Sequence, residues 1–226
     1  MAKDTYNFLQ LPIAEQPALQ TAQIIYAQRT AKRVLNNRED VLKRIATLPT
    51  KSGVTLKVKN IIQGKLTFEQ QVKNMHQSNV LMGMHGADLT NCIFLHKGSV
   101  VLEINPLNWY DARFVRMCET AGVHYLSYNE GGDVSAPYPF GHFPPRQCSF
   151  KLKPLIDCKM TERSSQRERN VDVEMAKFIA IVGEALYLAG VGPRVAYPMF
   201  DEDFKVLGAY AWIDNRIVRY PSLQPI

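Results

Sequence analysis

The run NVLMGMHGADLTNCIFLHKGSVVLEI (79–104) decides the fold. NVLMG (79–83) is a short apolar strand that closes on a glycine. SVVLEI (99–104) is a second apolar strand, and MHGADLTNCIFL between them carries a tight turn and an apolar helix. The same alternation continues on both sides. AQIIYA (22–27) reads as a buried strand, and Asn37 is placed to cap a helix over REDVLKRIATL whose first turn holds acids. VTLKVK (54–59) alternates apolar residues with lysine, as a strand with one solvated face does. TFEQ (67–70) has the form of a capping box, and Phe68, Val72 and Met75 give the helix behind it an apolar stripe. Beyond Ile104, YDARFVRMCETAG (110–122) predicts a helix and VHYLSY (123–128) a fifth strand.

Five strand–helix units with short connections predict an α/β fold: a doubly wound, mostly parallel, Rossmann-like sheet joined by right-handed crossovers. After Asn129 the pattern stops; a helix follows at about 171–189, and AYAWIDNRIVRY (209–220) predicts a hairpin turning at Asp214-Asn215. The expected division is 1–21 as a leader or remnant of a preceding domain, 22–190 as the Rossmann-like domain, and 191–226 as a divergent tail.

Composition narrows the class. The 226 residues are 46% hydrophobic and 21% charged with a net charge of +6, which excludes a mostly disordered chain. Gly and Pro at 13 each exclude a collagen-like chain, and four Cys are too few for a disulfide scaffold. Cys92 and Cys118 fall on helix faces as buried thiols; Cys148 and Cys158 flank a loop and can pair in an oxidising lumen. The most apolar stretch, FIAIVGEALYLAGVG (178–192), is short and interrupted by Glu184, so it predicts a core helix and no transmembrane segment. The charge is uneven: residues 29–73 hold eleven Lys/Arg against three Asp/Glu. Such a block suits a phosphate ligand, nucleic acid or a solvated face. Nucleic acid is disfavoured, because no aromatic residues interleave with the charges as a stacking platform requires.

An open parallel sheet binds ligands beyond the carboxyl ends of its strands. QRTAKR (28–33), MHGAD (84–88) and EINP (103–106) fall there, so Arg29, Arg33, His85 and Glu103 can share one crevice. Gly83 and Gly86 permit a tight turn into a helix start whose free N–H groups suit an anion, with arginines to hold phosphate oxygens. The plainer reading is a junction that needs small residues, with His85 a structural turn residue, Asp88 a helix cap and Glu103 a strand-end carboxylate. No HExxH, CxxC, GxSxG or GxGxxG pattern occurs, and the histidines show no metal-ligand spacing.

The run LMGMHGADLTNCIFLHKGSVVLEINP (81–106) resembles the central motif of glycosyltransferase family 61. IIYAQRTAKRVLNNREDVL (24–42), LTFEQQVKNMHQSNVLMG (66–83), AGVHYLSYN (121–129) and RNVDVEMAKFIAIV (169–182) are similar to flanking family segments, the last two to its EGF-domain-specific branch. Two positions depart from the pattern: Asp88 stands where a small or polar residue is usual, and His96 where Pro is common.

The resemblance implies the carboxyl-terminal half of a GT-B enzyme, with a separate or missing amino-terminal acceptor domain. It implies inverting, metal-independent transfer from a UDP-sugar to a protein- or glycan-linked hydroxyl in the ER or Golgi lumen, with no cofactor. N-acetylglucosamine is the first donor sugar expected, then xylose or arabinose. Carried over, Arg29 and Arg33 offset the diphosphate charge, and the Gly86, Ala87, Leu89, Thr90 and Asn91 stretch positions phosphates and nucleotide. His85 bonds phosphate or sugar as the candidate catalytic residue, and Glu103 meets sugar or ribose hydroxyls. A nucleotide-binding module without turnover is the alternative.

Overall fold

The computed structural model describes residues 20–106, 113–129, 167–193, 210–213 and 216–219, with single positions at 5, 7 and 9. Its strands are β1 (Thr21–Ala27), β2 (Thr55–Ile61), β3 (Val80–Met84), β4 (Val100–Asn105), β5 (His124–Asn129), β6 (Tyr210–Ile213) and β7 (Arg216–Arg219). Its α-helices are α1 (Arg38–Ile45), α2 (Phe68–His76), α3 (Arg113–Ala121) and α4 (Met175–Leu188). The strands form one sheet in the order β2-β1-β3-β4-β5-β6-β7. The first five are parallel, and β6 and β7 add antiparallel at the edge. β6 and β7 pair with Ile213 opposite Arg216, while 214–215, the turn expected there, lie outside the described residues.

The α/β, Rossmann-like sheet forms because β1, β3 and β4 are apolar on both faces. On one face Ile24, Tyr26, Met82, Leu102 and Leu126 pack against Val41 and Ile45 of α1 and Phe178 and Val182 of α4. On the other, Ile25, Leu81, Val101 and Tyr125 pack against Val72 and Met75 of α2 and Val115 and Cys118 of α3. β2 is the outer strand, and Lys57 and Lys59 sit on it half-buried or exposed. Lysines along an edge strand discourage pairing with another sheet.

Local signals account for several boundaries. The capping box is present: Gln70 N–H donates to Thr67 Oγ1 (3.2 Å) and Thr67 N–H to Gln70 Oε1 (2.9 Å). Gly122, with φ +70°, ends α3 in the left-handed conformation that glycine adopts freely. Of the helix expected at 110–122, residues 110–112 lie outside the described part, as do Cys148 and Cys158. Cys92 and Cys118 are buried free thiols, and a hydrogen bond between them with burial pushes the Cys118 thiol up. α4 buries Glu184 with the core, and no described helix is long and apolar enough to cross a membrane.

Three expectations change. Asn37 holds the N-cap position of α1, but its side chain makes no capping bond; its Nδ2 donates to Val173 O (2.8 Å) and its Oδ1 accepts from Val173 N–H (3.2 Å). The helix expected from 171 begins at Met175, because Val171 bridges to Leu35 and is held extended there. The helix after the 83–86 turn is a 3₁₀ helix, Ala87–Phe94. Asp88, Thr90, Asn91 and Ile93 are weak α-formers, and the 3₁₀ rise lets eight residues carry the crossover from β3 to β4.

Candidate functional site

β1 pairs with β2 on one side and β3 on the other, so the connections leave β1 in opposite directions. In an open α/β sheet the crevice at that switch point is where ligands bind. Two segments end there: the loop after β1, with Arg29 and Arg33, and the turn after β3, with His85 and Gly86.

The two arginines converge. Arg29 Nε donates to Lys32 O (3.1 Å), and Arg33 Nη1 donates to His85 O (3.0 Å). A methyl group built at Gly86 would lie 2.1 Å from Arg29 Nη1 and 3.6 Å from Arg33 Nη1. Gly86 therefore leaves the Arg29 guanidinium room over the turn, with Arg33 at ordinary contact distance beside it. The Gly86 backbone is extended there, so space and not conformation is what the position requires. The Ala87 and Asp88 N–H groups open the 3₁₀ helix, where no intrahelical carbonyl can reach them.

Arg33 is held under strain. Its φ of +57° is the one left-handed non-glycine conformation among the described residues. Residues 170–173 clamp the following loop: Val34 N–H donates to Asn170 Oδ1 (3.0 Å), and Asn36 N–H to Val171 O (2.8 Å). Burial, then repulsion from Arg29, pulls the Arg33 pKa below its ordinary value. Arg33 Nε is buried without a hydrogen-bond partner among the described residues. Asp88 compensates little: its carboxylate is 4.0 Å from Arg29 Nη1. Burial raises the Asp88 pKa, against the lowering influence of Arg29 and Arg33. Glu168 is the second carboxylate acting on Arg33, but it pairs with Lys32 (3.1 Å) and Arg167 (3.0 Å), so the cluster keeps an excess of cations that suits an anion.

Beneath them runs a buried hydrogen-bond chain. His85 Nδ1 lies 2.6 Å from Glu103 Oε1, and Glu103 Oε2 accepts from the Tyr125 hydroxyl. The Glu103 and His85 side chains are 0% and 3% exposed, and Phe114 meets the His85 ring edge-on at 5.6 Å. Glu103 thus differs from its expected place against sugar or ribose hydroxyls. Both its oxygens are engaged inside the sheet, where it orients His85. His85 in turn presents its carbonyl to Arg33.

The remaining expected residues divide. Ala87 and Thr90 are exposed, and Thr90 Oγ1 donates to Ala87 O (2.7 Å). Asn91 Nδ2 donates to Gln71 Oε1 of α2 (3.0 Å), while Leu89 is wholly buried in the core and offers only backbone. Asp88 does not cap the helix; Gly86 holds that position with no side-chain bond. Sequence reasoning missed Tyr125, Phe114, Asn105, Ser127 and Gln63. Asn105 and Ser127 follow Glu103 and Tyr125 by two, so strand alternation places all four on one face. Asn105 and Ser127 are fully buried, and among the described residues their side-chain polar atoms have no hydrogen-bond partner. Among the described residues no cluster of His, Cys, Asp and Glu suits a metal.

Fold and site thus define an α/β domain with a Rossmann-like sheet, whose two arginines converge at the β1/β3 switch point. Residues 1–102 match the Glycosyltransferase 61 family model. The chain is 31% identical over 121 residues to the EGF domain-specific O-linked N-acetylglucosamine transferase of Gallus gallus, covering 53% of this chain and 22% of that one. It is 32% identical over 139 residues to the Xenopus laevis protein of the same name, covering 61% and 25%. To an alpha-1,3-arabinosyltransferase of Oryza sativa subsp. japonica it is 27% identical over 184 residues, covering 77% and 30%. These relatives are glycosyltransferases, and the family match takes in residues 81–102 of the run that resembles family 61. The chain spans about a quarter of the length of the two N-acetylglucosamine transferases.

Proposed function

We propose that this chain is the donor-binding part of a family 61 glycosyltransferase, holding the diphosphate of a UDP-sugar at the β1/β3 switch point. The observation that carries the reading is the convergence of Arg29 and Arg33 on Gly86. In the reaction proposed, an acceptor hydroxyl on a protein or glycan attacks the anomeric carbon with inversion. A C–O bond forms to the acceptor, the bond to the donor phosphate oxygen breaks, and negative charge grows on the leaving diphosphate. Fixed cations and N–H dipoles aimed at that charge lower the barrier most when they need no reorganisation. Arg29, Arg33 and the Ala87–Asp88 backbone are suited to that role, so no metal is required in the scheme.

The names of the relatives favour N-acetylglucosamine or arabinose as the donor sugar, and the proposal extends to a lumenal ER or Golgi setting and a GT-B partner domain. The general base is assigned to that partner domain, since His85 and Glu103 are buried. The same burial favours a second reading, a nucleotide-binding module without turnover; transfer or donor hydrolysis with UDP-sugars separates the two. The direct test is UDP titration of Arg33→Ala. We expect a loss of about 1–3 kcal/mol in binding, the range for a hydrogen bond to a charged group. Unchanged affinity in the folded variant removes Arg33 from the site.

A further inference from the structure

Beside the arginines lies an open hollow of about 260 Å³, lined by residues that include Gln28, Arg29, Lys32, Gln63 and Asp88. Gln63 follows β2 by two residues and opens the short turn Gln63–Lys65. It is 3% exposed, and among the described residues neither its Nε2 nor its Oε1 has a hydrogen-bond partner. A buried carboxamide with four unmet hydrogen-bonding positions is costly, and such a group calls for an explanation. The lining of the hollow joins Arg29 and Asp88, beside the Gly86 turn, to Ile62, Gln63 and Gly64, which follow β2. From β3 to β2 is two strand spacings, about 10 Å. That span fits a nucleoside diphosphate lying across the strand ends with its phosphates at Gly86. In mononucleotide-binding βαβ units the nucleoside extends from the first strand toward the end of the second.

We propose that Gln63 reads the base of the nucleotide, its carboxamide pairing with adjacent donor and acceptor atoms such as N3–H and O4 of uracil. A carboxamide sets one N–H donor beside one carbonyl acceptor, the complement of an imide edge. The carboxamide atoms are closed off in the free chain, so the side chain turns toward the hollow to meet the base, which supplies its partners, while Arg29 and Arg33 hold the phosphates at the other end. Gln63 becomes the residue that separates a nucleotide from a bare diphosphate.

This inference rests on the donor-binding reading, and titration calorimetry on the full chain tests the two separately. The probes are UDP, 2′-deoxy-UDP and inorganic pyrophosphate, against wild type, Gln63→Leu and Gln63→Glu. Both variants keep the size of the side chain; the first removes the carboxamide and the second removes its donor. We expect Gln63→Leu to weaken UDP and deoxy-UDP alike by about tenfold, as loss of a base contact does. Pyrophosphate affinity stays at the wild-type value, and Gln63→Glu behaves as Gln63→Leu does. Unchanged UDP affinity overturns the inference and leaves the donor-binding reading standing. A loss for UDP with none for deoxy-UDP puts the carboxamide on the ribose and overturns base contact. An equal loss for pyrophosphate marks a purely structural role and also overturns it. A wild-type chain that binds none of the three probes overturns the donor-binding reading and the inference with it.

Discussion

At the scale of single residues, Asp88 is the side chain that works against the site. It lines the hollow together with Arg29, half-buried, with its pKa raised by burial although Arg29 and Arg33 pull it down. A carboxyl whose folded pKa lies above its unfolded value supports the fold fully below the unfolded value. That support is lost as pH rises through the folded value. Ionised Asp88 therefore costs stability at neutral pH and also repels an incoming phosphate. Asp88→Asn is expected to bind UDP severalfold more tightly at pH 7. It should also be slightly more stable than wild type there, an advantage that fades below about pH 4, where both side chains are neutral. Paired titrations and urea melts at pH 7 and pH 4 check this, and weaker UDP binding by the variant gives Asp88 a positive role instead. Arg29, Arg33, His85, Gly86 and Asp88 were legible in sequence because strand ends converge in any open α/β sheet. Glu103 was legible as a position but not as a role. That one of its oxygens takes the Tyr125 hydroxyl depends on the β4–β5 register, which one strand's pattern does not encode.

At the scale of elements, the clamp by residues 170–173 decides how the arginine loop is presented. Asn37 was legible as a helix cap because its residue type and the acids after it fit that role. The competing partner, the backbone of Val173, lies 136 residues away in sequence, and no local pattern announces it. The paired bonds between Asn37 and Val173 tie the start of α1 to the segment before α4. The neighbouring bonds at Val34 and Asn36 hold the loop that follows the left-handed Arg33. Asn37→Ala removes two hydrogen bonds at a half-buried position and should cost about 1–3 kcal/mol of unfolding free energy. Because the clamp also restrains Arg33, UDP affinity should fall in the same variant though no phosphate contact is deleted. Urea denaturation and UDP titration together test this; a stability loss with unchanged affinity leaves the clamp as scaffold only. The 3₁₀ crossover shows the same limit from the other side, since an apolar period over 87–94 is shared by α and 3₁₀ helices at this length.

At the scale of the whole molecule, the sheet separates two chemistries by its length. The arginines, Gly86 and the hollow occupy the carboxyl ends of the strands. His76, at the end of α2, and His96, just before β4, lie at the amino ends. Burial lowers the pKa of both, with mutual repulsion adding to the effect at His76, and His96 shares a hydrogen bond of 2.6 Å with Ser99. A histidine whose folded pKa is depressed binds fewer protons folded than unfolded. Its contribution is therefore full above the ordinary value of about 6.5 and is lost as pH falls toward the folded value. Stability should decline between pH 7.5 and pH 5.5, and His96→Gln, which keeps a hydrogen-bonding side chain toward Ser99, should flatten that decline. The decline belongs to the far end of the sheet, so UDP affinity measured on the folded fraction should not follow it. Melting temperature and UDP affinity across that range separate the two ends. A stability that holds level on acidification removes the histidines from the account, and a loss of affinity that tracks the loss of stability joins the ends that the fold keeps apart.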